Sequence, residues 1–330
     1  MQEATLNDKP TVGFIGLGIM GRPMALNLQR AGYPLVIVDF DPPLPQELLD
    51  GGATVKTSIR QVAEAADIVV LAVGESQTMS GEAQSRTDIV IPAPQMALAE
   101  AVAATGKPMV VLLRHGRALA LHGAVKDAQA ILATWFLGSM SGMATADILF
   151  GLASPSARLP CSFPYESGQE PLYYAHKNTG RPNPPGPRVA YKAHYRDAPN
   201  AALYPFGHGL TYGEIVYSAI DMGTGRLSAG GELTVTATLR NSGRHEATEV
   251  AQLYVQDITA SITRPVRELK AFQRVTIKPG ESREVRFTIR REELLFLGQD
   301  MQPTVEPGEF RLWIAPSAQA EGVSDIFTLA

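Results

Sequence analysis

Three glycines, Gly16, Gly18 and Gly21, stand in G-x-G-x-x-G spacing inside TVGFIGLGIMGRPMALNLQRAG. The first permits a tight turn, the second lets an anion approach the backbone, and the third lets a helix pack closely on a strand. Free N–H groups at the start of the following helix then attract the phosphates of a dinucleotide. Asp39 stands 18 positions after Gly21, at the end of the next apolar run. A carboxylate there can bind a ribose 2′-hydroxyl. On spacing these four residues read as an NAD(P) site. The plainer alternative is that the glycines only make a tight strand–helix turn.

The chemistry requires that this turn follow a strand and open a helix. Residues 11–15 are a buried-strand candidate, and residues 23–31 read as a helix ending at Gly32. Further strands are expected at 34–40, 54–56, 67–73, 108–113 and 131–136, and helices at 59–66, 95–105 and 144–150. DPPLPQELLDGG is broken by prolines and has room for only a short helix. Alternating strands and helices predict a three-layer α/β sandwich on a Rossmann-like parallel sheet. Residues 161–214, rich in Pro, Gly, Tyr and Asn as in HKNTGRPNPPGPR, hold no period and read as an extended connector. From residue 215 the period becomes two. Leu233, Val235, Ala237 and Leu239 alternate with polar residues, as do Val285, Phe287 and Ile289. That pattern, cut by Gly, Pro and Asn turns, predicts an antiparallel β-sandwich.

A chain of 330 residues predicts two or three domains, each able to bury a core. With 45% hydrophobic and 19% charged residues, wholesale disorder is excluded. A net charge of -4 gives no reason to expect nucleic acid or an anionic membrane as partner. The single cysteine, Cys161, excludes a disulfide framework and a multi-cysteine metal site. No run reaches 18 apolar residues, so no membrane span is expected. Residues 1–10 are polar and lack the order of a signal peptide, which predicts a cytoplasmic location. His176, Lys177, His194 and His208 sit in the connector without metal-ligand spacing and read as structural. Tyr173, Tyr174, Tyr204, Phe206 and Tyr212 are read as packing between the α/β unit and the β-sandwich, with a sugar platform as the alternative.

GFIGLGIMGRPMALNLQRAGY resembles the opening of the β-hydroxyacid dehydrogenases, of the 3-hydroxyisobutyrate dehydrogenase type, and the resemblance runs to about residue 70. The catalytic lysine and helical domain that this family implies have no counterpart downstream. From about residue 65 the wording is different. ADIVVLAVGESQTMSGEAQSRTDIVIPAPQ, AILATWFLGSMSGMATADILFG and LYPFGHGLTY are similar to the C-terminal half of family 3 glycoside hydrolases, of the bacterial β-glucosidase type. EVAQLYVQDITASITRPVRELKAFQRVTIKPGESREVRFTI resembles the fibronectin-III-like domain that closes those enzymes. The two resemblances predict a chimera joined between residues 61 and 73. Residues 1–70 are then a dinucleotide-binding half and 65–160 the hydrolase-like remainder of one sheet. The connector follows at 161–214 and a fibronectin-III-like sandwich at 215–330.

The hydrolase resemblance implies a retaining glycosidase, which uses two carboxyl groups about 5 Å apart and needs no cofactor. It places the acid/base at Glu82, on the loop GESQTMSGEAQSR, and makes Glu75 and Arg86 loop-orienting residues. The plain alternative for Glu82 is a solvated loop carboxylate. The nucleophile belongs in the family to an N-terminal barrel, which alone needs about 250 residues. About 65 residues precede the hydrolase-like part here. The expectation is a glycosidase-like protein of carbohydrate metabolism without self-sufficient activity, which handles a β-linked sugar only with a barrel supplied in trans. Self-association through the face that would meet the barrel, as a non-catalytic interaction protein, is the other reading. His115 stands where the family commonly has asparagine, and Met140 and Met143 where it commonly has polar residues.

Overall fold

The computed structural model describes residues 9–18, 21–39, 43–183, 187–228 and 230–330. Most of the polar start (1–8), residues 19–20 within the glycine turn, Phe40 at the end of the second expected strand and part of the connector (184–186) lie outside them. The chain forms two compact units. The first runs to Ala153 and takes in Tyr165–Gly168; the second is Ser154–Pro164 with Gln169–Ala330.

The first unit is built on a six-stranded parallel sheet: β1 (Val12–Ile15), β2 (Leu35–Val38), β3 (Thr54–Val55), β4 (Ile68–Gly74), β5 (Met109–Arg114) and β6 (Ala130–Ala133). Its order is β3-β2-β1-β4-β5-β6, a doubly wound topology that reverses between β1 and β4. Val12 pairs with Leu35 on one side and Ile68 on the other. β1 and β2 are buried throughout, as unbroken apolar runs covered on both faces require. Full burial of Phe14 and Leu112 stabilises the fold by about 1.5–3 kcal/mol each.

The helices are α1 (Gly21–Arg30), α2 (Gln46–Asp50), α3 (Ile59–Ala65), α4 (Ala93–Ala103), α5 (Gly123–Lys126) and α6 (Ser141–Leu149). Met24, Ala25 and Leu28 of α1 are buried, the one-turn spacing of a core-facing stripe. The helix ends where Tyr33 N donates to Leu28 O and Gly32 N to Gln29 O, the paired bonds of a Schellman cap. Ser58 caps α3 by accepting from Gln61 N. The expected strand at 131–136 stops at Ala133, because Trp135 takes a left-handed backbone (φ 53°) that cannot continue a ladder.

The second unit is all-β, with β7 (Ile215–Asp221), β8 (Arg226–Leu227), β9 (Glu232–Asn241), β10 (Ala247–Asp257), β11 (Glu268–Ile277), β12 (Ser282–Arg290), β13 (Phe296–Leu297), β14 (Pro303–Thr304), β15 (Gly308–Ala315) and β16 (Val323–Leu329). The sheets are β11-β10-β15-β16-β8, β12-β9-β7 and the pair β13-β14. Leu233, Val235, Ala237 and Leu239 face a core shared with Leu253, Phe310, Leu312 and Phe327. Most of the connector belongs to this unit. Arg158 pairs with Glu249 at 2.8 Å with both side chains buried, and Tyr217 Oη donates to the same carboxylate. Tyr174 stacks on Phe206 (4.2 Å between centroids) and meets Tyr254 edge-on. Tyr174 and Phe206 therefore pack, whereas Tyr173 and Tyr212 are exposed.

Candidate functional site

The reversal between β1 and β4 places the glycine turn beside the loop that leaves β4, as open α/β sheets do at the carboxyl ends of their strands. A cavity of about 220 Å³ lies there, lined by Gly16, Gly18, Gly21, Gly74, Glu75, Ser76, Gln95 and Arg114 among others. Gly16 adopts φ 95°, and a Cβ on Gly21 would lie 1.8 Å from Gly16 O, so both glycines are needed to close the turn. A Cβ on Gly18 would meet nothing within 4 Å. Asp39 is turned toward the glycine turn: Leu17 N donates to its carboxylate at 2.6 Å. Burial lowers the pKa of the Arg114 guanidinium, which also lies over Phe136.

Glu82 does not line this cavity. It stands on the 75–92 loop, exposed, in a turn where Gln84 N donates to Gly81 O. Gly81 (φ 119°) and Ala83 (φ 58°) flank it, both in left-handed backbone. Among the described residues no hydrogen bond or ion pair holds its carboxylate.

The turn rests on a buried carboxylate. Glu75, with its side chain at 0% exposure, pairs with Arg86 at 3.0 Å and Arg117 at 3.1 Å. Gly116 N donates to its second oxygen at 3.3 Å. Arg86 also donates to Val90 O, closing the far side of the loop. Arg117 Nη2 donates to Met79 O at 2.6 Å and Gln84 O at 2.7 Å, one on each side of Glu82. Further along, Ser167 Oγ accepts from Ile89 N and donates to Asp88. Glu75 and Arg86 therefore orient the loop, as expected from the sequence. Arg117 went unassigned there, because its partners lie 33 and 38 positions upstream.

His115 is fully buried and packs on Trp135, 4.3 Å between centroids with the rings tilted by 45°. Its Nδ1 lies 2.8 Å from Arg117 O, a carbonyl that can only accept, so Nδ1 carries the proton. Burial lowers its pKa, against the Arg117 carbonyl and the Glu75 charge, which raise it. Phe136, Leu137, Met140 and Met143 are exposed on the neighbouring segment. No group of three or more metal-ligating side chains occurs among the described residues, and none of their helices is long and apolar enough to cross a membrane.

Residues 19–212 match the model of the glycosyl hydrolase family 3 C-terminal domain, and residues 249–318 that of the fibronectin type III-like domain. The first match begins inside the glycine turn, and so takes in most of the stretch whose wording resembles a dehydrogenase. A periplasmic beta-glucosidase of Salmonella typhimurium is 45% identical over 277 residues, 84% of this chain and 35% of that protein. A beta-xylosidase of Formosa agariphila is 36% identical over 264 residues, 80% of this chain and 36% of that protein. Among solved structures, the beta-glucosidase from Listeria innocua in complex with glucose superimposes with a TM-score of 0.83 at 32% identity, over 98% of this chain and 46% of that one. The chain thus spans about a third of these curated relatives and just under half of the solved one. From the parallel sheet and its glutamate loop to the β-sandwich, sequence and fold agree: the chain belongs to the glycosyl hydrolase family 3 C-terminal domain family.

Proposed function

We propose that this chain carries the acid/base half of a β-glycosidase site, with Glu82 as the residue that protonates the leaving oxygen and later activates water. The observation that carries this reading is the exposed Glu82 held on a turn clamped at both ends by Arg117. The other carboxylates of the loop are engaged: Glu75 in two ion pairs, Asp88 with Ser167. The nucleophile about 5 Å away must then come from another element, a barrel on the same polypeptide or a separate one. The relatives named for β-glucosidase and β-xylosidase activity support a β-linked glucoside or xyloside as substrate class. The periplasmic name of the Salmonella relative favours that compartment over the cytoplasm expected from the polar first ten residues.

The test is turnover of an aryl β-glucoside by the 330-residue chain, alone and mixed with the barrel fragment of a relative. The expected result is turnover only in the mixture, lowered by Glu82→Gln. Turnover by the chain alone, or mixture turnover indifferent to Glu82→Gln, overturns the reading.

A second reading is retained binding of the NAD(P) diphosphate at Gly16, Gly18 and Gly21, consistent with the dehydrogenase-like wording of residues 13–33. The cavity beside the turn favours it. Its volume of about 220 Å³ is below the 300–1,000 Å³ usual for ligand pockets and suits a phosphate better than a whole dinucleotide. One oxygen of Asp39, the expected ribose ligand, already accepts from Leu17 N, and the Glu75 carboxylate is turned away into its two arginine pairs. The residues therefore do not fit the full cofactor.

A further inference from the structure

We propose that His115 is a positioning residue for the Glu82 turn, acting through Arg117 and Trp135; the proposal rests on the acid/base reading of Glu82. His115 follows β5 directly and has no solvent exposure. Its Nδ1–H reaches the carbonyl of Arg117 two residues on, which curls the 115–117 backbone. The curl delivers four contacts to the loop after β4. Arg117 Nη2 spans Met79 O and Gln84 O, Arg117 Nε lies 3.1 Å from Glu75, and Gly116 N donates to the same carboxylate. The approach at Gly116 is close: a Cβ there would lie 2.0 Å from Ser80 Oγ and 2.8 Å from the Phe136 ring. A larger residue there would displace the Ser80 side chain and the Phe136 ring.

The other side of the imidazole is held by Trp135. A bulky residue in left-handed backbone costs of order 1–3 kcal/mol and persists only where its surroundings over-determine it. Here the φ of 53° ends β6 early and carries the indole onto His115. The ends of β5 and β6 are thereby coupled to the loop of β4. An apolar side chain at 115 would fill the same space and lose the bond that shapes the curl. The imidazole is suited to both jobs, packing its ring against the indole of Trp135 and giving an N–H to Arg117. None of these residues needs to touch substrate. Their effect is to leave Glu82, between two left-handed neighbours, a single height above the sheet.

The test uses the full chain with Trp313→Phe, which leaves Trp135 as the one indole of two. Glutamyl endopeptidase cleavage after Glu82, followed by mass, reports how often the turn opens. His115→Leu is expected to speed that cleavage at least about fivefold and to change the near-ultraviolet circular dichroism of Trp135, while cleavage after other glutamates and the far-ultraviolet spectrum stay unchanged. Arg117→Ala should match the cleavage rate. Arg117→Lys, a point charge that cannot span two carbonyls, should fall between. A His115→Leu rate within about twofold of the parent, with Arg117→Ala fast, overturns the proposal. If His115→Leu does not fold, Trp135→Gly decides it by the cleavage rate in the same way, since glycine accepts the backbone and removes only the indole. Mixed with the barrel fragment, His115→Leu should lower kcat at unchanged KM; a raised KM at unchanged kcat counts against it. Cleavage needs no turnover, so an inactive mixture sinks the acid/base reading and leaves the proteolysis result to judge the positioning one.

Discussion

Arg117 Nε lies 3.1 Å from Oε1 of Glu75, a cation from the loop after β5 against a fully buried anion from the loop after β4. Burying an ion pair gains little against an apolar pair, but breaking one leaves an uncompensated charge. The Glu75 site is therefore a place where single substitutions are expensive.

Glu75→Ala is expected to destabilise the α/β unit by about 3 kcal/mol, the low end of the range for broken buried pairs because both arginines reach solvent. Urea unfolding followed by circular dichroism measures it. A loss below about 1 kcal/mol would mean that water replaces the carboxylate freely.

Ala83→Gly should raise stability by roughly 0.5 kcal/mol, because relief of the left-handed φ of 58° outweighs the extra chain entropy. The same unfolding measurement decides it. A loss would show that the turn gains from the alanine methyl.

Stability should fall as the medium is acidified. Burial lowers the pKa of His115 and His208 below the ordinary 6.5, and the Arg158 charge lowers that of His208 further. The unfolded chain then binds protons that the folded one refuses, so stability is complete above pH 6.5 and is lost as pH falls through the folded values. Unfolding free energies at pH 7.5 and 5.5 check this. His208→Gln should flatten the dependence of the β-sandwich unit, and an unchanged slope would contradict it.

Gly18→Val should leave stability unchanged within about 0.5 kcal/mol, because the new side chain enters open space. Calorimetric titration with millimolar NAD, NADP and inorganic phosphate then judges the glycine turn. Heat with phosphate that Gly18→Val removes supports an anion site. Heat with NAD or NADP, lost in the same variant, would show that the cofactor fits after all.

Much of the fold is legible in the sequence because its signals are local. The unbroken apolar runs of β1 and β4 announce buried parallel strands, and the alternation of β9 and β12 announces a half-buried antiparallel sheet. Gly16 and Gly21 are readable because the turn needs them sterically. The early end of β6 is not, since nothing in AILATWF marks Trp135 as left-handed, and the ring it packs on, His115, is twenty residues away in the chain. Arg117 is invisible for the same reason. One guanidinium joining Met79 and Gln84 leaves no trace in spacing, whereas Glu82 is found only through the family wording of its loop.

The role of Glu82 is tested most directly by leaving-group dependence in the mixture of this chain with a barrel fragment. A general acid matters most when the departing oxygen is basic. Glu82→Gln should therefore slow hydrolysis of an alkyl β-glucoside far more than that of a dinitrophenyl β-glucoside, steepening the dependence of rate on leaving-group basicity. Equal slowing of both substrates, with the dependence unchanged, would contradict an acid/base role for Glu82.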